Sequence, residues 1–177
     1  MPNVEKFFSA ISNVASRFSQ SVYGLPAQKG IVEMRKLIAF SLLGNDYVMP
    51  LNEVSEILEL PESTKLPRVK SWVSGLANVR GRLLPIIDLA AFLGGRLSST
   101  MRERRVLVLD INGVYVGVVV DGVQGIKSLA VDLHQASSSQ GPMASFIDGI
   151  FVEEHQTLPL FCAKKLLEDD QFMTVAV

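Results

Sequence analysis

Arg80 is the residue in this chain best placed to do chemistry, in the run GLANVRGRLLPIIDL at 75–89. Gly75 and Gly81 bracket it and predict a turn, because glycine leaves φ unrestricted. A guanidinium there offers a planar set of donors to a carboxylate. Glu56, two residues after Val54 in EVSEIL, reaches it if that segment crosses the turn. The pair would fix the turn and leave spare donors for a partner. Aliphatic residues around one arginine are also what interface hot spots contain. A purely structural ion pair is the competing reading.

The rest of the chemical inventory is thin. His134 and His155 fall in predicted loops with no ligand cluster beside them. With Cys162 as the single cysteine no tetrahedral metal set can be assembled, and in LPLFC a thiol acts as a small hydrophobe. Gly113-x-x-x-Gly117 spans a hairpin and its return strand, whereas a phosphate loop opens a helix. Glu153-Glu154 reads as a solvated turn. Asp88, Asp110 and Asp121 end or follow strands, as turn residues do. A small β-barrel enzyme with Asp88 or Asp121 as acid or base is the alternative, resting on position alone. Neither a metal nor a cofactor is expected.

Composition excludes further classes. Net charge is −1 and the isoelectric point about 6.1, so no basic excess seeks nucleic acid or an acidic membrane surface. The run Arg96, Arg102, Arg104, Arg105 contains Glu103, lacks interleaved aromatics and reads as a solvated loop. Hydrophobic residues are 48% and mean hydropathy is +0.29, an excess for the core or for partner surfaces. No apolar run reaches the ~18 residues of a membrane span. MPNVEKFF lacks the features of a signal peptide, and one cysteine fits a reducing compartment, so a cytoplasmic protein is expected.

Several elements must position Arg80. Phe7, Ile11, Ala15, Phe18 and Val22 predict an amphipathic helix over 3–23, either packed on its own domain or docking a partner. Gly24 and Pro26 stop it, so 1–29 is helix and linker and 30–177 the main domain. Strands are predicted at 37–43 and 47–51 around a Gly44-Asn45-Asp46 loop, followed by a helical turn over 52–59. Leu83, Leu84, Ile86 and Ile87 predict a strand buried on both faces. Residues 96–105 are the expected mid-chain boundary. Beyond it come strands at 106–110 and 114–120 around Asn112-Gly113, an apolar patch at 123–129, short strands at 146–152 and 158–162, and a helix at 163–167. Two hairpin-led halves with short strands argue for a mainly β protein of two small barrels.

Four stretches then resemble one family, the CheW-like domain of bacterial chemosensory arrays. They are LIAFSLLGNDYVMPLNEVSEILE (37–59), TKLPRVKSWVSGLANVRGRLLPIIDLAAFLG (64–94), RRVLVLDINGVYVGVVVDGVQGI (104–126) and FIDGIFVEEHQTLPLFCAKKLL (146–167). Asn-x-Arg-Gly and Pro-x-x-Asp-Leu are the most specific parts. Within the family, GLPAQ (24–28) and KSWVSGLANVRGRLLPI (70–86) look most like the adaptor type of type IV pilus, twitching-motility systems.

The resemblance implies two five-stranded β-barrels, to which the N-terminal helix is an extension, and a few short helices. It implies a non-enzymatic adaptor that links the cytoplasmic tip of a methyl-accepting chemoreceptor to the regulatory domain of a CheA-like histidine kinase. Such adaptors sit in membrane-associated arrays without entering the bilayer, and their alternation with the kinase can close into rings. By motif position, Arg80 is implied in receptor coupling, Glu56 as its carboxylate partner and Val54 as an apolar contact beside them. Ile38 and Leu51 are implied in kinase contact, and both suit a core equally well.

Overall fold

In a computed structural model the described residues are 33–131, 134–135, 141–153 and 156–177. The predicted helix at 3–23 and its linker lie outside them, as does His155.

Among the described residues eleven strands fall into two sheets. Three hairpins share one turn chemistry. β1 (Met34–Leu42) turns to β2 (Asn45–Pro50) through Leu43-Gly44, with φ of 53° and 77°. β4 (Val73–Val79) turns to β5 (Arg82–Asp88) through Arg80-Gly81, at 51° and 82°; β6 (Arg105–Ile111) turns to β7 (Val114–Val120) through Asn112-Gly113, at 52° and 83°. Positive φ at both central residues marks the type I′ turn, whose twist matches that of the strands it joins. The Asn-Gly turn falls where the sequence predicts it. The first hairpin turns on Leu43-Gly44 rather than Gly44-Asn45-Asp46, and leucine carries no turn signal.

β3 (Val54–Glu59) is a strand and not the predicted helical turn, which shrinks to a 3₁₀ turn at Leu51–Glu53. The remaining strands are β8 (Gly122–Ala130), the two-residue β9 (His134–Gln135), β10 (Ile147–Glu153) and β11 (Gln156–Phe161). Short helices α1 (Leu89–Phe92) and α2 (Ala163–Leu167) follow strand ends, and α3 (Asp170–Met173) follows α2; α2 is the predicted one. Among the described residues no helix is long and apolar enough to cross a membrane.

One sheet runs β8-β1-β2-β11-β10-β9, the other β3-β6-β7-β5-β4. Each contains one parallel pair, β11 with β2 and β5 with β7. The protein is thus mainly β, with five long strands in each sheet, as expected, but among the described residues neither ladder closes into a barrel. Residues 96–105 are no boundary either. They connect α1 to β6 inside the second sheet, while the first hairpin β1–β2 joins strands from the far half of the chain.

Alternation explains how the sheets stack. On β1, Leu37 and Ala39 face a small core with Val48, Phe151 and Leu158 inside the first sheet. Ile38, Phe40 and Leu42 face the opposite way, into the largest core, which also takes Ile87, Leu107, Leu109 and Val118 from the second sheet. Their neighbours Leu84, Ile86, Val106, Val108 and Val119 fill a third core inside the second sheet. The central strands of the second sheet are therefore apolar on both faces. Gly117 sits where a β-carbon would stand 2.6 Å from Val106 Cγ1, so only glycine fits.

Candidate functional site

The charged residues of interest gather at one end of the second sheet. Val54, Glu56 and Leu58 are the more covered residues of β3, with Ser55, Ile57 and Glu59 exposed between them. Glu56 shares the face of Leu58, which packs on the core inside this sheet. Arg80 projects from the β4–β5 turn, and one of its guanidinium nitrogens lies 2.5 Å from Glu56 Oε1. β3 and β4 are the two outer strands of the ladder. The ion pair therefore spans the unpaired seam between its edges, as the sequence reading required. Asn78 Oδ1 accepts from Gly81 N at 2.9 Å and fixes the turn from inside.

Stability does not account for an arginine here. A non-glycine residue in the left-handed region costs on the order of 1–3 kcal/mol. An exposed ion pair returns about 0–1 kcal/mol, and the Arg80 side chain is 81% exposed against 23% for Glu56. Leu43 is in the same backbone state, but it packs on the large core and its N–H reaches Asp121 at 2.9 Å. Arg80 has no such compensation. Its cation is held outward.

Next to it, Arg82 continues the charged rim. Its guanidinium carbon lies 3.7 Å from the centroid of the Tyr115 ring, and its Nη1 donates to Asp110 Oδ2 at 3.3 Å. Leu83 points the other way and is 63% exposed. This corrects the expectation of a strand buried throughout. Gly75 is corrected too: it is not in the turn but at a register shift within β4, with φ of 147°. A β-carbon there would stand 2.4 Å from Thr64 O, so it admits the close backbone approach of the segment bridged at Thr64–Leu76. Gly81 is in the turn as expected.

The two residues assigned to kinase contact part company. Ile38 is fully buried in the large core and has no surface to offer. Leu51 is half-buried in the 3₁₀ turn and lines a shallow cleft with Met34, Arg35 and Asn52. Val54 is likewise half-buried, packed against the large core's margin.

The strand-end carboxylates hold backbone. Asp88 caps α1 by accepting from Ala91 N at 2.9 Å. Asp121 is 5% exposed and accepts from Leu43, Ser98 and Ser99 N–H groups at 2.6–2.9 Å. Burial pushes its pKa up, but the hydrogen bonds from Ser99, Leu43 and Ser98 outweigh that and hold it below the ordinary value. A carboxylate fixed in its ionised form this way is a poor proton shuttle. Among the described residues no group of three or more His, Cys, Asp or Glu side chains is placed to hold a metal.

Two stacked sheets around three cores, with an outward arginine at one seam, make a scaffold that presents a charged surface. The chain belongs to the CheW-like domain family, whose model matches residues 36–171. Its members are non-enzymatic scaffolds, and so is this protein. It is 40% identical to Protein PilI of Pseudomonas aeruginosa, with all of both chains covered. It is 27% identical to the chemotaxis protein CheW of Klebsiella aerogenes over 80% of this chain and 86% of that one. The crystal structure of scaffolding protein TtCheW from Thermoanaerobacter tengcongensis shares the fold, with a TM-score of 0.66 at 23% identity over 73% of this chain and 89% of that one.

Sequence reasoning missed Arg82, Asp110 and Tyr115 as parts of this surface, and the exposure of Leu83. Period-two alternation from Leu84 and Ile86 places Leu83 on the opposite face, but the unbroken apolar run hides it. Nothing in the sequence brings Arg82 to Tyr115, because β5 meets β7 through a parallel pairing that skips β6.

Proposed function

We propose that the protein is a cytoplasmic adaptor that couples the tip of a methyl-accepting chemoreceptor to the regulatory domain of a CheA-like histidine kinase. Family membership supports the adaptor role, and the full-length likeness to PilI supports a pathway controlling type IV pilus twitching motility. Arg80, with Glu56 beneath it and Val54 alongside, contacts the receptor. Leu51 contributes to the kinase face. The observation that carries the reading is the outward arginine in a strained turn, retained where its own ion pair does not offset its cost.

Coupling here is thermodynamic. The adaptor transmits a signal only if its affinities for receptor and kinase differ between their active and inactive states. Heterologous contacts with the kinase also allow closed rings.

Calorimetric titration against the kinase regulatory domain and a soluble receptor-tip fragment of the same organism tests this. Micromolar or tighter binding is expected, a free energy of about −8 kcal/mol, with Leu51→Arg weakening the kinase alone. Arg80→Asn is the sharper variant, because asparagine suits the type I′ turn. It should leave the fold as stable as before, or more so by about 1 kcal/mol, while receptor binding drops. A variant that loses stability as a core substitution does would return Arg80 to a structural role.

A further inference from the structure

The interior of the second sheet ends in a charged rim, and that rim is built twice over in the same sense. Glu56 and Arg80 form one pair, Asp110 and Arg82 the other. In each, the cation is the more exposed partner: Arg80 is 81% exposed against 23% for Glu56, and Arg82 60% against 37% for Asp110. The carboxylates lie inward and the guanidinium groups outward, so a neutral cluster presents a cationic face.

Arg82 is also held from below. Asp110 and Tyr115 are cross-strand partners in the β6–β7 hairpin, and Arg82 lies over them from the neighbouring hairpin. A guanidinium stacked on a ring and tied to a carboxylate has lost much of its rotamer freedom before any partner arrives, which lowers the entropic cost of binding. Its remaining donors stay open to solvent. Leu83 points to the opposite face of the strand and takes no part in this contact.

We infer that Arg82, positioned by Tyr115 and Asp110, is a second charged contact on the receptor surface, one that selects an acidic patch on the partner. The inference rests on the receptor-coupling reading of Arg80. The partner surface it fits carries two carboxylates, one for each arginine. Tyr115 and Asp110 are positioning residues that act through Arg82.

The test is titration of the full chain with the soluble receptor-tip fragment, and separately with the kinase regulatory domain, for Arg80→Ala, Arg82→Ala, Tyr115→Leu and Tyr115→Phe. Arg82→Ala and Tyr115→Leu should each weaken tip binding roughly tenfold. Kinase affinity and thermal midpoint should stay at their wild-type values. Tyr115→Phe, which keeps the ring, should restore the affinity that Tyr115→Leu loses. If Arg80→Ala weakens tip binding and Arg82→Ala does not, the inference is overturned and the adaptor reading stands. Equal loss toward the tip and the kinase, or a lowered midpoint, would make Arg82 a structural residue and overturn it as well. A wild-type chain that binds the kinase but not the tip would remove the coupling reading and this inference with it.

Discussion

At Asp121 three backbone N–H groups converge on one carboxylate, tying the Leu43-Gly44 turn to residues 98–99. Each donor left unpaired in a covered place costs about 1–3 kcal/mol, so Asp121→Ala should lower unfolding free energy by roughly 3 kcal/mol or more. Its lowered pKa fixes the sign of the pH dependence. The contribution is complete above the ordinary carboxylate value of 3.8 and is lost as pH falls through the lower folded value. Glu53 runs the other way. Burial holds its pKa above the ordinary 4.5, although Ala163 N donates to it, and nearby Asp148 adds to the rise. The folded state therefore favours the neutral acid, and stability falls as pH rises through that raised value. Glu53→Gln keeps an acceptor for Ala163 and removes the charge, so its midpoint should exceed wild type at neutral pH. The gap should close below about pH 4; a gap that persists in acid would mean packing rather than charge. Gly75→Ala, by contrast, should be among the most damaging single changes, because backbone at Thr64 cannot yield to a β-carbon.

The connection from β3 to β4, residues 60–72, shows how an irregular element is kept in place. Residues 62–68 are all exposed, and that stretch is held by bridges at Thr64–Leu76 and, just beyond it, Val69–Ala176. The second tie is the end of the chain: Lys70 N donates to Val175 O and Val177 N to Arg68 O, at 2.9 and 3.0 Å. α3 fastens the same place from behind, with Phe172 stacked on Trp72 at 5.9 Å and edge-on to Phe92 at 5.1 Å. Phe172→Ala should cost about 3–5 kcal/mol, and the single tryptophan gives a clean readout, a red-shifted emission as Trp72 meets water. Unchanged emission would mean that the stack does not shelter it. Such elements differ in how far the sequence shows them. Asn112-Gly113 announces its turn by chemistry, and the apolar spacing at 163–167 announces α2. Leu43-Gly44 does not, since its conformation is imposed by the core on one side and Asp121 on the other. β3 was hidden by its glutamates, which favour helix locally until pairing with β6 overrides them. Four-residue α3 is too short to show any period.

Three cores share two sheets, and the largest lies between them, fed by alternate residues of β1, β6 and β7. The sheets should therefore unfold together: Leu107→Ala, at the centre of that core, is expected to shift a single transition by about 2–5 kcal/mol. A split into two transitions would show that each sheet stands alone. The resemblance and the mainly β class were legible because hairpins and apolar runs are local. The membership of each sheet was not, because it depends on the parallel pairs β2–β11 and β5–β7, which no local signal encodes. Ile38 takes the core role that the sequence left open beside a contact role, whereas Leu83, expected to be buried, is exposed. The strand order has a consequence for synthesis on the ribosome. The second sheet is one continuous stretch, β3 to β7, and can assemble as it emerges. The first hairpin cannot, because β1 waits for β8 and β2 for β11, more than a hundred residues later in the latter case. At about 5–20 residues per second, Leu37 and Val48 leave the exit tunnel seconds before their core partners Phe151, Leu158 and Leu160 exist. The nascent chain must carry an apolar hairpin exposed for that interval, which makes it a natural client for chaperones that hold emerging polypeptides.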